Sequence, residues 1–262
     1  MSDSESAVQL VDSHCHIDFP ELAADIDGVL ARMQANDVSH ALCVNVNMED
    51  FHRVLSLARS HGNLFATVGV HPDHQQGADP GWQEIARLAR QDRIVAIGET
   101  GLDYYRIEGD PEWQRTRFRN HIRAAREVGK PLVIHCRQAA DDLLSIMREE
   151  RAAEVGGVMH CFTESWQVAE QAMEMNFLIS FSGIVTFRNA AEVRSVAARV
   201  PWDRLLVETD SPYLAPVPMR GKRNEPAFVR HVAEGLAGLR STDLAHVARA
   251  STRNFFRVFN AF

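Results

Sequence analysis

The sequence predicts an α/β protein: a single (β/α)8 TIM barrel with an additional C-terminal helix. Three observations carry this. Short apolar runs alternate with amphipathic helical stretches eight times along 262 residues. The runs are nearly continuous Val, Ile and Leu, as parallel strands covered on both sides require. No GxGxxG or GxxxxGK[ST] follows the first run, so the signature of a nucleotide-binding open sheet is missing.

In chain order, the first strand is expected over Val8 to Asp12. A helix follows over Ala24 to Gln34, where Ile26, Val29, Leu30 and Met33 recur at helical spacing. The next strands are His40 to Val46, Leu64 to Val70 and Ile94 to Glu99. Asp110-Pro111 supplies an N-cap and a first-turn proline for a helix running to Gly129, and Gly129-Lys130-Pro131 stops it. Strands over Leu132 to His135, Gly157 to His160, Phe177 to Phe181 and Leu205 to Glu208 complete the eight. Ser241 to Phe259 reads as the additional helix, with Leu244, Val247, Ala248, Phe255 and Val258 on its buried stripe. Residues 1–262 hold no repeat, linker or low-complexity segment and read as one domain, with 1–7 as a disordered tail.

Composition narrows the function. The formal charge of −7 argues against a broad basic surface for nucleic acid, although a small basic patch beside a metal site remains compatible with it. The acidic start Met1 to Ser6 has neither signal-peptide nor transit-peptide character, and no apolar run reaches membrane-spanning length. Cys15, Cys43, Cys136 and Cys161 have no CxxC spacing and read as reduced thiols of a cytoplasmic protein. The sequence sets no oligomeric state and is compatible with a monomer.

In such a barrel the site lies at the C-terminal ends of the strands. His14 and His16 close the first run and share one face of an extended segment, a pincer for a divalent metal. His71-Pro72 closes the third run, Glu99 the fourth, His135-Cys136-Arg137 the fifth, His160-Cys161 the sixth and Glu208-Thr209-Asp210 the eighth. Singly, each has an ordinary structural explanation. His135 or His160 could be a core histidine bonded to a carbonyl, Glu99 a buried carboxylate paired with Arg, and Asp210 a cap. Together those explanations need several independent coincidences, and a metal site accounts for all six strand ends at once. Alternation places Cys15, Cys136 and Cys161 on the face opposite their histidines, against the helices. His71 could be a ligand, a substrate contact or the start of a turn, while His52, His61 and His74 read as surface residues.

Seven segments, in this order, resemble the TatD family of metal-dependent hydrolases. They are Asp12-Ser-His-Cys-His16, Gly69-Val-His-Pro72, Gly98-Glu-Thr-Gly-Leu-Asp103, Pro131-Leu-Val-Ile-His135, His160-Cys-Phe162, Ser180-Phe-Ser-Gly183 and Glu208-Thr-Asp-Ser-Pro-Tyr213. The stretches Phe181 to Asn189 and Leu214 to Lys222 bring the resemblance toward its YcfH-type branch, and Cys136 is the main departure. The resemblance implies two divalent cations (Zn2+, Mn2+ or Mg2+): His14, His16 and Asp210 would hold one, His135 and His160 the other, and Glu99 would bridge them. One carboxylate can span ions about 3.5–4 Å apart. It further implies phosphodiester hydrolysis in DNA, from a 3′ end on single strands, or ester release from D-aminoacyl-tRNA by the same metal pair. Asp210 or a hydroxide would act as general base, His71 would position the phosphate or leaving group, and Glu208 would orient ligands. Arg137, Arg220 and Lys222 are candidate phosphate contacts in loops after the fifth and eighth strands; solvated loop charge is their alternative reading.

Overall fold

The computed structural model describes residues 8–261; the tail expected over 1–7 lies outside them. Eight parallel strands follow one another in sequence order around the sheet: β1 (Leu10–Cys15), β2 (Val38–Cys43), β3 (Leu64–Val68), β4 (Ile94–Asp103), β5 (Leu132–Arg137), β6 (Gly157–Met159), β7 (Phe177–Phe181) and β8 (Leu205–Val207). Helices alternate with them, and the C-terminal helix Leu244–Phe259 follows the helix Val229–Leu239. The barrel closes at the C-terminal end of the sheet. Cys15 bridges to Ser211, the His16 amide donates to the Ser211 carbonyl at 2.8 Å, and the Asp210 amide donates to the His14 carbonyl at 2.9 Å.

Two apolar layers organise the chain. The outer one packs strand residues such as Leu10, Cys15, Ile97 and Ile134 against the helices. The inner one takes a side chain from every strand: Val11, Leu42, Phe65, Ala96, Val133, Val158, Leu178 and Leu206. Phe255 and Phe259 of the C-terminal helix join this inner layer and close the barrel floor. Asp243 caps that helix, its side chain accepting from the His246 amide at 2.6 Å. Val258, expected on the buried stripe, is only partly buried beside this layer.

Several boundaries differ from those the apolar runs indicate. β1 begins at Leu10 and extends through His14 and Cys15, because the strand end is buried by the closing contacts to Ser211. β4 continues four residues past Glu99, its pairing with β5 running on from Thr100 opposite Ile134 to Asp103 opposite Arg137. The helix after Asp110 spans Glu112–Val128; Pro111 takes the cap position and Asp110 accepts from the Glu112 amide at 3.0 Å. Gly129 ends it in the left-handed conformation, φ 65°, as expected for that residue.

Candidate metal centre

The inner layer fixes where the functional side chains point. Alternation along β5, and carried one residue past the ends of β6 and β8, leads from Val133 to His135, from Val158 to His160 and from Leu206 to Glu208; the two histidines line the barrel mouth and Glu208 is buried behind His160. β1 and β4 reach the mouth differently. Val11 and His14 are three residues apart, as are Ala96 and Glu99, and an unbroken strand would turn each pair to opposite faces. Register shifts between Asp12 and Cys15 and between Ile97 and Thr100 change the phase, bringing His14, His16 and Glu99 inward. Just past the second shift, Gly101 lets β4 run close against β5: its φ is 133°, and a Cβ there would lie 2.0 Å from the His135 carbonyl oxygen.

Five imidazoles converge on the buried Glu99 carboxylate. Its Oε1 lies 2.8 Å from His160 Nε2, 3.2 Å from His135 Nδ1 and 3.4 Å from His71 Nε2. Its Oε2 lies 3.3 Å from His14 Nε2 and 3.9 Å from His16 Nε2. Asp210 Oδ1 stands 3.5 Å from His16 Nε2 and 3.7 Å from His14 Nε2. Asp210 has φ 56°, a left-handed conformation uncommon outside glycine, and its backbone bond to His14 holds it there. Among the described residues, three groups of ligand atoms lie close enough to hold an ion: His14 with His16 and Asp210, His14 with Glu99 and His160, and His71 with Glu99 and His135.

The donor chemistry fits a divalent metal. Nitrogens face one another at 3.3 Å between His14 Nε2 and His16 Nε2, and at 3.4 Å between His71 Nε2 and His135 Nδ1. His160 Nε2 is buried and makes no hydrogen bond despite its approach to Glu99. Neutral imidazoles and carboxylates whose free atoms point to common centres are the ligands of choice for Zn2+ and related ions. Burial alone would raise the Glu99 carboxyl, but the fields of His160, His71 and His14 and the bond from His135 hold it well below the usual range. Burial opposes ionisation of Asp210 too, and the bond from His16 with the charges of His14 and His160 outweighs it.

Outer partners set the rings. His135 Nε2 lies 3.0 Å from Asp103 Oδ2, His160 Nδ1 lies 3.2 Å from Glu208 Oε1, and His16 Nδ1 lies 3.0 Å from the Val44 carbonyl. Asp12 accepts from both the amide and the hydroxyl of Thr209, at 2.8 and 2.5 Å, tying β1 to the segment bearing Asp210. The helix Glu112–Val128 positions His71. Its Arg117 donates to the His71 carbonyl at 2.9 Å, and its His121 Nε2 accepts from the Val70 amide at 3.0 Å.

A cavity of about 580 Å3 opens over the cluster, lined by His16, His71, Glu99, His135, His160 and Asp210 and by Arg137. Arg220 and Lys222 do not line it; Arg220 lies over the Phe187 ring at 3.9 Å. Cys15 does pack outward against the helices. Cys136, inside β5, also packs against that outer layer while reaching the cavity edge, and Cys161, by contrast, lines the cavity. Cys161 stands two residues past the end of β6 and has φ 43°, so strand alternation no longer governs it, and its Sγ lies 3.2 Å from Ser182 Oγ. His74 also reaches the cavity rim, within 3.6 Å of Glu49. Asp103 stands in a motif quoted above, yet nothing in its spacing marked it as the partner of His135.

A family model described as TatD related DNase matches residues 11–260. The chain belongs to the TatD family. It is 47% identical over 255 residues to the uncharacterized metal-dependent hydrolase YcfH of Escherichia coli strain K12, covering 96% of each chain. It is 35% identical over 247 residues to a protein of Erwinia tasmaniensis named 3'-5' ssDNA/RNA exonuclease TatD, covering 92% of this chain and 95% of that one. The crystal structure of YJJV, a TatD homolog from Escherichia coli K12, superposes with a TM-score of 0.89 at 29% identity, covering 97% and 98% of the two chains. This TatD-family protein is thus a metal-dependent hydrolase with candidate metal-binding clusters in the mouth of its barrel. Among the described residues, no helix is long and apolar enough to cross a membrane.

Proposed function

We propose that the protein is a two-metal deoxyribonuclease acting at the 3′ end of single strands. The observation that carries this reading is the division of the Glu99 oxygens, Oε2 toward His14 and His16, Oε1 toward His135 and His160. His14, His16 and Asp210 would hold one ion, His135 and His160 the other, with Glu99 spanning both. When bound, such a pair of Zn2+, Mn2+ or Mg2+ ions activates a water and polarises a phosphoryl oxygen. Asp210, kept ionised by its histidine neighbours, accepts a proton from the attacking water. The water oxygen bonds to phosphorus, the bond to the leaving oxygen breaks, and that oxygen leaves with a proton. His71, partly exposed in the cavity wall, touches the phosphate or the leaving oxygen, and Arg137 meets a flanking phosphate. Glu208 keeps His160 Nε2 aimed at the centre. A confined cavity on a chain of charge −7 suits an end better than the length of a duplex. The exonuclease name of the Erwinia relative supports the same substrate class. The four free cysteines accord with a cytoplasmic setting.

The test is chelation, reconstitution with each metal, and assay on a single-stranded oligonucleotide, a blunt duplex and a D-aminoacyl-tRNA. Mononucleotide release from the single strand is expected, and Glu99→Ala should lose both activity and metal content. Aminoacyl-ester release without nucleotide release would overturn the nuclease reading. Full metal content in Glu99→Ala would overturn the bridge.

A further inference from the structure

The described residues leave three large apolar side chains about half in solvent; of these Tyr213 lines the cavity, and Tyr105 lies behind the lining residue Arg137. Tyr213, 57% exposed, follows β8 and lines the cavity. Its ring meets Phe19 edge-on at 6.4 Å, and Phe19, another lining residue, stacks on His16 at 4.8 Å with 19° between the planes. A continuous aromatic ladder therefore descends from solvent to the metal-ligand cluster. Tyr105 follows β4, which lies opposite β8 in the ring of eight strands. Its ring carries the Arg137 guanidinium at 3.7 Å from the centroid. Among the described residues, no carboxylate lies within salt-bridge distance of Arg137, which lines the cavity and whose charge acts at longer range on Asp103.

We propose that the mouth is a two-walled nucleotide clamp. Tyr213 and Phe19 stack an unpaired base on one side, and Arg137, held up by Tyr105, takes the adjoining phosphate on the other. This rests on the nuclease reading above and specifies its substrate further: the end must present a base free of its duplex partner, whatever that base is. Every base has a π-face, so the wall reads single-strandedness and carries little sequence preference. Tyr105 is a positioning residue, acting through Arg137; burying an exposed tyrosine under a base supplies the contact area that an aromatic side chain at an interface ordinarily gives.

The test compares metal-loaded wild type with Tyr213→Ala and Tyr213→Phe on two single-stranded oligonucleotides, one with a normal 3′ nucleotide and one with a 3′ abasic residue. Wild type should favour the base-bearing end, and Tyr213→Ala should raise KM for it by about tenfold or more, erasing that preference. Tyr213→Phe, which keeps the ring, should restore it. A 3′-terminal 2-aminopurine, joined by a slowly cleaved phosphorothioate, should be quenched on binding wild type and Tyr213→Phe but not Tyr213→Ala. Equal KM values for the two ends in wild type, or an unaltered preference and quench in Tyr213→Ala, would overturn the clamp while leaving the nuclease reading intact. No cleavage of either oligonucleotide by wild type would overturn the nuclease reading, and the clamp with it.

Discussion

His135 and His160 each turn one ring nitrogen toward Glu99 and the other toward a second carboxylate, Asp103 or Glu208. Such an outer carboxylate fixes the tautomer and makes the imidazole a better ligand. Replacing Asp103 by Ala should therefore weaken metal retention or activity by about 10- to 100-fold, read from metal content after dialysis against dilute chelator. Unchanged retention would show that His135 needs no orienting partner. The ligand candidates were legible because each closes an apolar run where no polar residue is otherwise expected. Asp103 was not, because it stands four residues beyond its run and enters the site only through the continued pairing of β4 with β5. The same holds for Arg137: its place after β5 is visible in the sequence, while its perch on Tyr105 depends on loop geometry.

β4 is the element on which the site turns. Its phase change between Ile97 and Thr100 brings Glu99 into the lumen, and Gly101 lets the strand run against the His135 backbone. Gly101→Ala would force a Cβ against that carbonyl and a side chain into a φ of 133°, at a cost of about 2 kcal/mol or more. Denaturant unfolding should show that loss together with reduced metal content, since the displaced neighbour is a ligand. A stable variant with full metal content would refute this account of the strand. Alternating apolar residues cannot announce such a shift: Ala96 and Glu99 look like opposite faces until pairing is known. Cys161 misled for a related reason, since it lies past the end of β6 where alternation stops. Cys15, inside β1, obeyed it.

For the molecule as a whole, stability and chemistry occupy opposite ends of the barrel. Phe255 is fully buried in the floor, distant in the fold from the mouth. Phe255→Ala should cost about 3–5 kcal/mol in unfolding free energy while leaving kcat of the surviving folded enzyme unchanged. His121 links stability to pH. Burial lowers its pKa to about 4 and outweighs the opposing bond to the Arg117 carbonyl, and Nε2 accepts from the Val70 amide. The unfolded chain, with an ordinary histidine, binds the proton at higher pH than the folded one. This contribution is therefore fully present above about pH 6.5 and is lost as pH falls toward 4, at most about 3 kcal/mol. The stability advantage of wild type over His121→Gln should shrink between pH 7 and 4.5 in urea titrations; a constant advantage would contradict it. The barrel itself was legible from eight alternating runs, and the additional helix from the apolar stripe after Ser241, but not that this helix closes the floor. Its layering was not, because assigning a side chain to the lumen or the helices needs the registers.

The bonds from Asp210 to the His14 carbonyl and from His16 to the Ser211 carbonyl stitch the first strand to the last, and the same three residues, His14, His16 and Asp210, form one ligand cluster. An ion held there would act as a rivet through the seam of the cylinder, tying together segments nearly two hundred residues apart in the chain. Binding free energy gained at the seam is then stability for the whole closure. Hydrogen exchange should register it locally: stripping the metal should hasten exchange at the amides of His16 and Asp210 more than at those of β3 or β7, away from the seam. Loading the metal therefore also fastens the hoop on which every other ligand is mounted.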